Sequence, residues 1–186
     1  GVGTILVQLL KQSGAYVVAT STAEAVVKGC GADEVVDYKA ENVWEKYADK
    51  PFDTVIDCAV GKEAWHAARD GKALKKGGVF MAVVLNDWQI DVTRWWHFFS
   101  LMGQPMGRAM WTSAAALFGG KKYSMFLGGA TAETMQKVCD LVKDKKLKVV
   151  VDSASPHPFT DEGVRSAMTL HENRRGKGKI VVKIAD

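Results

Sequence analysis

Runs rich in β-branched and aromatic residues alternate with amphipathic helical patterns along most of this chain, and that alternation narrows the folds open to it. Residues 16–20 (Tyr-Val-Val-Ala-Thr), 34–38 (Glu-Val-Val-Asp-Tyr), 52–57 (Phe-Asp-Thr-Val-Ile-Asp) and 79–84 (Val-Phe-Met-Ala-Val-Val) read as strands, the last one after a Gly77-Gly78 turn. Helical patterns fill the gaps. Val2, Ile5, Leu6, Leu9 and Leu10 share one face of a helix over 3–12 that Gly14 ends, and further helices are expected over 25–29, 42–47 and 62–74. Repeated strand–helix alternation predicts an α/β fold of the Rossmann type, a doubly wound parallel sheet covered by helices.

The pattern changes after Asn86. Trp88, Trp95, Trp96 and Trp111 fall within one stretch, joined by Phe98, Phe99, Met102, Met106 and Met110. Gly103-Gln104-Pro105 is expected to break it into two helices. Adjacent Trp95, Trp96, Phe98 and Phe99 cannot all face one side of a helix. Residues 94–118 are therefore expected to form an aromatic lobe over a ligand cleft or a partner surface, or an excursion packed on the core. Alternation then resumes with strand 122–127, helix 131–143, strand 147–151, a helix near 161–172 and a last strand over 179–184.

The opening Gly1-Val2-Gly3-Thr4 precedes an apolar helix, which a strand follows after a short Ser13-Gly14-Ala15 connection. A phosphate site at a strand–turn–helix junction needs glycines for close backbone approach and a helix N-terminus whose N–H groups and dipole hold charge. Gly1–Thr4 fits the second half of such a turn, and a plain helix start equally. The strand before the turn is expected to precede Gly1. Without it, a neighbouring strand would lack ladder partners, so residues 1–186 are not expected to fold alone as a stable monomer.

A net charge of +4 is spread over small groups such as Lys75-Lys76, Lys121-Lys122 and Lys145-Lys146, mixed with acids; this reads as solvated surface and not as a nucleic-acid footprint. Cys30, Cys58 and Cys139 are too scattered for a disulfide framework, which points to a reducing, intracellular compartment. His66, His97, His157 and His171 have no ligand partner at metal spacing, so no metal is expected to be held by this chain. No uninterrupted apolar run is long enough for a transmembrane helix.

Several ordered motifs go beyond the generic pattern. Gly1-Val2-Gly3-Thr4 with Gln8, Lys11 and Gly14-Ala15 resembles the glycine run of the medium-chain dehydrogenases/reductases. Gly31-Ala32-Asp33-Glu34-Val35-Val36-Asp37-Tyr38 is similar to that family's GADEVIDY motif. The strand at 52–57 with Val60-Gly61, the turn Leu74-Lys75-Lys76-Gly77-Gly78, the run Leu147–Asp152 and the ending Arg175–Val182 follow in the family's order. The type resembled is the zinc-free quinone oxidoreductase, and the aromatic stretch before Lys121-Lys122-Tyr123 most resembles the mitochondrial reticulon-interacting branch. The resemblance implies a nucleotide-binding domain over 1–146, with an aromatic insert at about 87–120. It implies a segment 147–186 that returns towards an N-terminal GroES-like catalytic domain lying outside this sequence. It also implies a mitochondrial or cytoplasmic protein, active as a homodimer or within a larger assembly, on a small-molecule quinone or carbonyl substrate.

The end of the second strand indicates the cofactor. An NAD site places an acid there for the ribose 2′-hydroxyl, whereas this chain reads Thr20-Ser21-Thr22, hydroxyls that can donate to a 2′-phosphate. NADPH is therefore the expected cofactor. Ser21-x-x-Glu24 reads at the same time as a capping box for the next helix. By resemblance, Tyr38 lies by the adenosine phosphate and Arg175 near the phosphate. Each reads otherwise as a strand-end aromatic and a surface arginine. Relatives place a lysine near Ala23, and this chain has none. Cys58 and Val60 lie where the nucleotide would pass, Cys58 more as an apolar filler than a nucleophile, and Phe126-Leu127 resembles the strand beside the nicotinamide. No catalytic residue is identified. Two other readings stay open: a non-catalytic nucleotide-binding or structural subunit, and a zinc-type alcohol dehydrogenase.

Overall fold

The computed structural model describes residues 1–84, 93–126, 128–173 and 175–185. In chain order the elements begin with α1 (Val2–Gln12), β1 (Val18–Thr20), α2 (Glu24–Gly29), β2 (Glu34–Val36), α3 (Val43–Lys46), β3 (Phe52–Asp57) and α4 (Lys62–Asp70). They continue with β4 (Leu74–Ala82), α5 (Trp95–Ala116), β5 (Lys122–Met125), α6 (Ala132–Lys143), β6 (His157–Pro158), α7 (Asp161–Glu172) and β7 (Val182–Lys183). Every strand pairing among the described residues is parallel: β1 with β2, β3 with β4 and β4 with β5, and β6 with β7. This is the α/β architecture that the strand–helix alternation predicts.

Contacts group the chain into two compact units, Gly1–Lys39 with Ala130–Asp186, and Ala40–Gly129. In the first, α1 turns Val7 towards Val17, Cys30 and Ala32, with Leu10, Ala19, Val27, Val35 and Val150 packed around them. Lys11 stitches the α1–β1 connection: its ammonium donates to both oxygens of Asp33 at 2.9 and 2.8 Å and to the Ala15 carbonyl at 3.0 Å. Asp33 also accepts the Val17 amide at 2.7 Å. Thr131 and Thr134 form a reciprocal capping box at α6, and the Thr160 hydroxyl accepts the Gly163 amide at the start of α7.

In the second unit Trp65, Phe80 and Tyr123 stack in a buried triangle, with ring centroids 5.1 to 5.9 Å apart. Leu74, Ala64, Ala68 and Ala82 complete this core. Full burial of side chains this large stabilises by about 1.5–3 kcal/mol each. Lys121 donates to the carbonyls of Ala68, Arg69 and Gly71 at 2.8, 2.9 and 2.5 Å, closing the C-terminal end of α4 with a cation.

Several expectations change: the helix expected over 62–74 ends at Asp70 and Leu74 opens β4, and the last strand, expected over 179–184, is reduced to Val182–Lys183. The turn at Gly77-Gly78 does not interrupt the chain's pairing; it is an irregularity within β4, where Phe52 faces Leu74 and Thr54 faces Val79. The break expected at Gly103-Gln104-Pro105 is absent, and α5 continues through Pro105. The proline costs one helical hydrogen bond, but its ring is fully buried. The strand expected over 147–151 shrinks to a single bridge between Val151 and Lys179. There the Gln8 side chain donates to the Lys148 carbonyl at 2.9 Å and accepts the Lys148 amide at 2.8 Å, occupying groups that a neighbouring strand would use. Along α5, Trp96, Met106, Met110 and Trp111 are exposed, as are Leu117 and Phe118 just beyond it, whereas Ala109 packs on the core. Trp88 lies outside the described residues, as do the side chains of Trp95, Phe98 and Phe99. No helix among the described residues is long and apolar enough to cross a membrane.

Candidate functional site

The first unit contains a cleft of about 170 Å³ lined by Gly1, Gly3, Thr4, Val7, Ala19, Thr20, Val27, Gly176 and Lys177. One wall is the first turn of α1, where the N–H groups have no acceptor within the helix and the dipole favours an anion. Gly3 leaves that wall open: a Cβ there would meet nothing within 4 Å. Thr4 donates its hydroxyl to the Gly1 carbonyl at 2.8 Å, fixing the turn. The second wall is the C-terminal end of β1, with Thr20 at the rim. Ligands of open parallel sheets bind outside such strand ends.

Beyond Thr20 the backbone is held by Ser21, whose amide donates to the Val36 carbonyl at 2.9 Å. The Ser21 hydroxyl oxygen accepts the Ala23 amide at 3.0 Å. The capping box expected from Ser21 and Glu24 does not form, because Ala23 is the N-cap and no side chain caps α2. Ser21 makes a tight turn two residues on instead, which leaves its proton available to a ligand. Thr22 is exposed beside it.

The third wall is the Gly176-Lys177 segment. The buried Asp152 carboxylate accepts the Lys177 amide at 2.6 Å and the Ala154 amide at 2.9 Å. These two donors, Ala154 first, hold the Asp152 carboxyl below its ordinary range. Next to it, Lys179 donates its amide to the Val150 carbonyl at 2.7 Å, and its carbonyl accepts the Asp152 amide at 3.0 Å. Gly178 passes so close that a Cβ would lie 2.7 Å from the Val150 carbonyl oxygen, so only glycine fits.

Of the residues singled out from the sequence, Gly1, Gly3, Thr4 and Thr20 meet in this cleft. Val2 opens α1 but does not line it, and Tyr38 is exposed just after β2. Arg175 is exposed on the segment after α7, its amide bonded to the Leu170 carbonyl, and does not line the cleft. Lys177 does line it, and sequence reasoning passed over it and Asp152. The available signal is the Gly176-Lys177-Gly178 triplet, a cation carried between two glycines.

Cys58, Val60 and Phe126 belong to the second unit, and Leu127 lies outside the described residues. Cys58 and Val60 sit on the loop after β3, which Asp57 organises by accepting the amides of Ala59, Val60 and Gly61 at 3.0, 2.9 and 2.5 Å. Burial, and then the neighbouring Asp57 charge, push the Cys58 thiol above its usual pKa, which disfavours a thiolate nucleophile. Phe126 is exposed past β5, its amide donating to the Ala82 carbonyl. Among the described residues no three His, Cys, Asp or Glu side chains are grouped to hold a metal ion.

A glycine-lined helix start, a strand end and a returning C-terminal loop thus enclose the cleft, and a family model described as zinc-binding dehydrogenase matches residues 30–182. The chain belongs to the zinc-binding dehydrogenase family. It is similar to trans-enoyl reductase poxH of Penicillium oxalicum, 29% identical over 96% of this chain and 45% of that protein. It is also similar to a chloroplast envelope quinone oxidoreductase homolog of Arabidopsis thaliana, 30% identical over 98% of this chain and 49% of the relative. The mitochondrial NAD(P)H oxidoreductase RTN4IP1 of Bos taurus is 26% identical over 99% of this chain and 46% of its own length. The solved quinone oxidoreductase of Coxiella burnetii shares the fold, with a TM-score of 0.70 and 24% identity over 100% of this chain and 50% of that one. These matches bear out the resemblance to medium-chain reductases and the Rossmann-type fold. The chain spans about half the length of the curated relatives it matches.

Proposed function

We propose that this chain is the nucleotide-binding part of an NADPH-dependent oxidoreductase that transfers hydride to a quinone, enone or related carbonyl compound. The cleft carries the reading: glycine-permitted approach to a helix start, hydroxyls and no acid at the end of β1, and a lysine on the facing loop. The names of the relatives, an enoyl reductase, a quinone oxidoreductase homolog and an NAD(P)H oxidoreductase, support the same class.

When bound, the nicotinamide supplies the hydride. The chain's own work is binding and orientation. The first turn of α1 holds the pyrophosphate, Thr20 and Ser21 donate to the ribose end, and Tyr38 flanks the adenosine. The exposed apolar stripe from Met106 to Phe118 supports association with a second chain, as a homodimer or within a larger assembly.

The test is turnover by the full-length protein with a panel of quinones and enones, NADPH and NADH in parallel. Oxidation of NADPH by at least one acceptor, faster than that of NADH, is expected. No oxidation with any acceptor, or faster use of NADH, would refute the proposal.

A further inference from the structure

We propose that Lys177 supplies the cation for the 2′-phosphate of NADPH, taking the part that no lysine near Ala23 can play in this chain; the inference rests on the NADPH reading above. The cleft presents two kinds of donor. At Gly1, Gly3 and Thr4 the helix start offers backbone N–H groups and the positive end of the dipole, sufficient for a pyrophosphate. At the end of β1 there are neutral hydroxyls only, Thr20 lining the cleft and Ser21 next to it, where the 2′-phosphate of NADPH would add about two negative charges. A cation is needed at that end, and among the described residues that line the cleft Lys177 is the charged one.

The loop geometry fits this role. Lys177 is fixed by its backbone, through the amide held by Asp152 at 2.6 Å, and the neighbouring Gly178 is the close approach that brings the segment against Val150. Its side chain is exposed, and its charge acts on the Asp152 carboxylate, helping to hold that carboxyl below its ordinary range. A lysine anchored by its main chain and exposed at its tip can reach an anion in the cleft. Asp152 is thereby a positioning residue: its carboxylate is buried and accepts the Ala154 and Lys177 amides, so it orders the loop through its backbone.

The experiment compares full-length wild type with Lys177→Gln and Lys177→Arg, by titrating NADPH, NADH, 2′,5′-ADP and 5′-AMP, with melting temperatures as a separate readout of folding. Loss of one charge-assisted contact predicts that Lys177→Gln binds NADPH and 2′,5′-ADP about ten- to a hundredfold more weakly. NADH and 5′-AMP should bind as before, and Lys177→Arg should keep most of the preference. Equal weakening for NADPH and NADH would overturn the proposal by placing Lys177 at the shared pyrophosphate. Unchanged NADPH binding in Lys177→Gln would overturn it too. Both outcomes leave a wild-type preference for NADPH, and with it the proposed function, standing. Wild-type protein that prefers NADH, or binds neither, would defeat that underlying reading as well as this one.

Discussion

Gln8 clamps the backbone of Lys148 from 140 residues away, its side-chain amide donating to the carbonyl at 2.9 Å and accepting the N–H at 2.8 Å. The same amide group donates to the Thr4 carbonyl at 2.9 Å. One side chain therefore ties the helix start beside the cleft to the C-terminal segment that brings in Lys177. Replacing Gln8 by Ala frees both Lys148 groups to water, and should destabilise the folded protein by about 1–2 kcal/mol. The substitution Gln8→Glu should be no better, since a carboxylate cannot donate to the Lys148 carbonyl. Urea unfolding of the full-length variants checks this.

Lys121 tests the second unit. Its ammonium meets three carbonyls at the end of α4, and burial lowers its pKa. Met in its place keeps the apolar stem and loses the three bonds, with an expected cost of about 1–2 kcal/mol and an earlier thermal transition. Lys122, whose side chain is exposed, should tolerate the same change within about 0.5 kcal/mol.

Acid stability should depend on Asp33 and Asp152. The Lys11 hydrogen bond, then the Val17 amide, hold the Asp33 carboxyl below its ordinary range, and the Ala154 and Lys177 amides do the same for Asp152. Because both folded values lie below the unfolded ones, their stabilisation is complete above about pH 5 and is lost as pH falls through the folded values. The melting-temperature gap between wild type and Asp33→Asn should therefore be widest near neutral pH and close towards pH 3. A gap that widens on acidification would contradict the assignment.

Much of the fold is legible locally. The strand Phe52–Asp57 and the helix Asp161–Glu172 match the expected spans, because alternation and an N-cap threonine are written into the neighbouring residues. The departures have long-range causes. Pro105 stays helical because its ring is buried, and residues 147–151 fail to make a full strand because Gln8 takes the ladder groups of Lys148. In the cleft, Gly1, Gly3, Thr4 and Thr20 are readable because a turn and a strand end are local features. Lys177 is not, since its position depends on Asp152, 25 residues earlier, and on a glycine whose importance lies in contact with Val150.

Hydrogen–deuterium exchange of the full-length protein, with and without saturating NADPH, tests most directly whether the dinucleotide sits in this cleft. Backbone amides whose exchange slows on binding should map to the first turn of α1, to residues 18–22 and to the Gly176–Gly178 segment, with α6 and α7 unaffected. Protection confined to other segments, or none at concentrations where NADPH is shown to bind, would contradict the account.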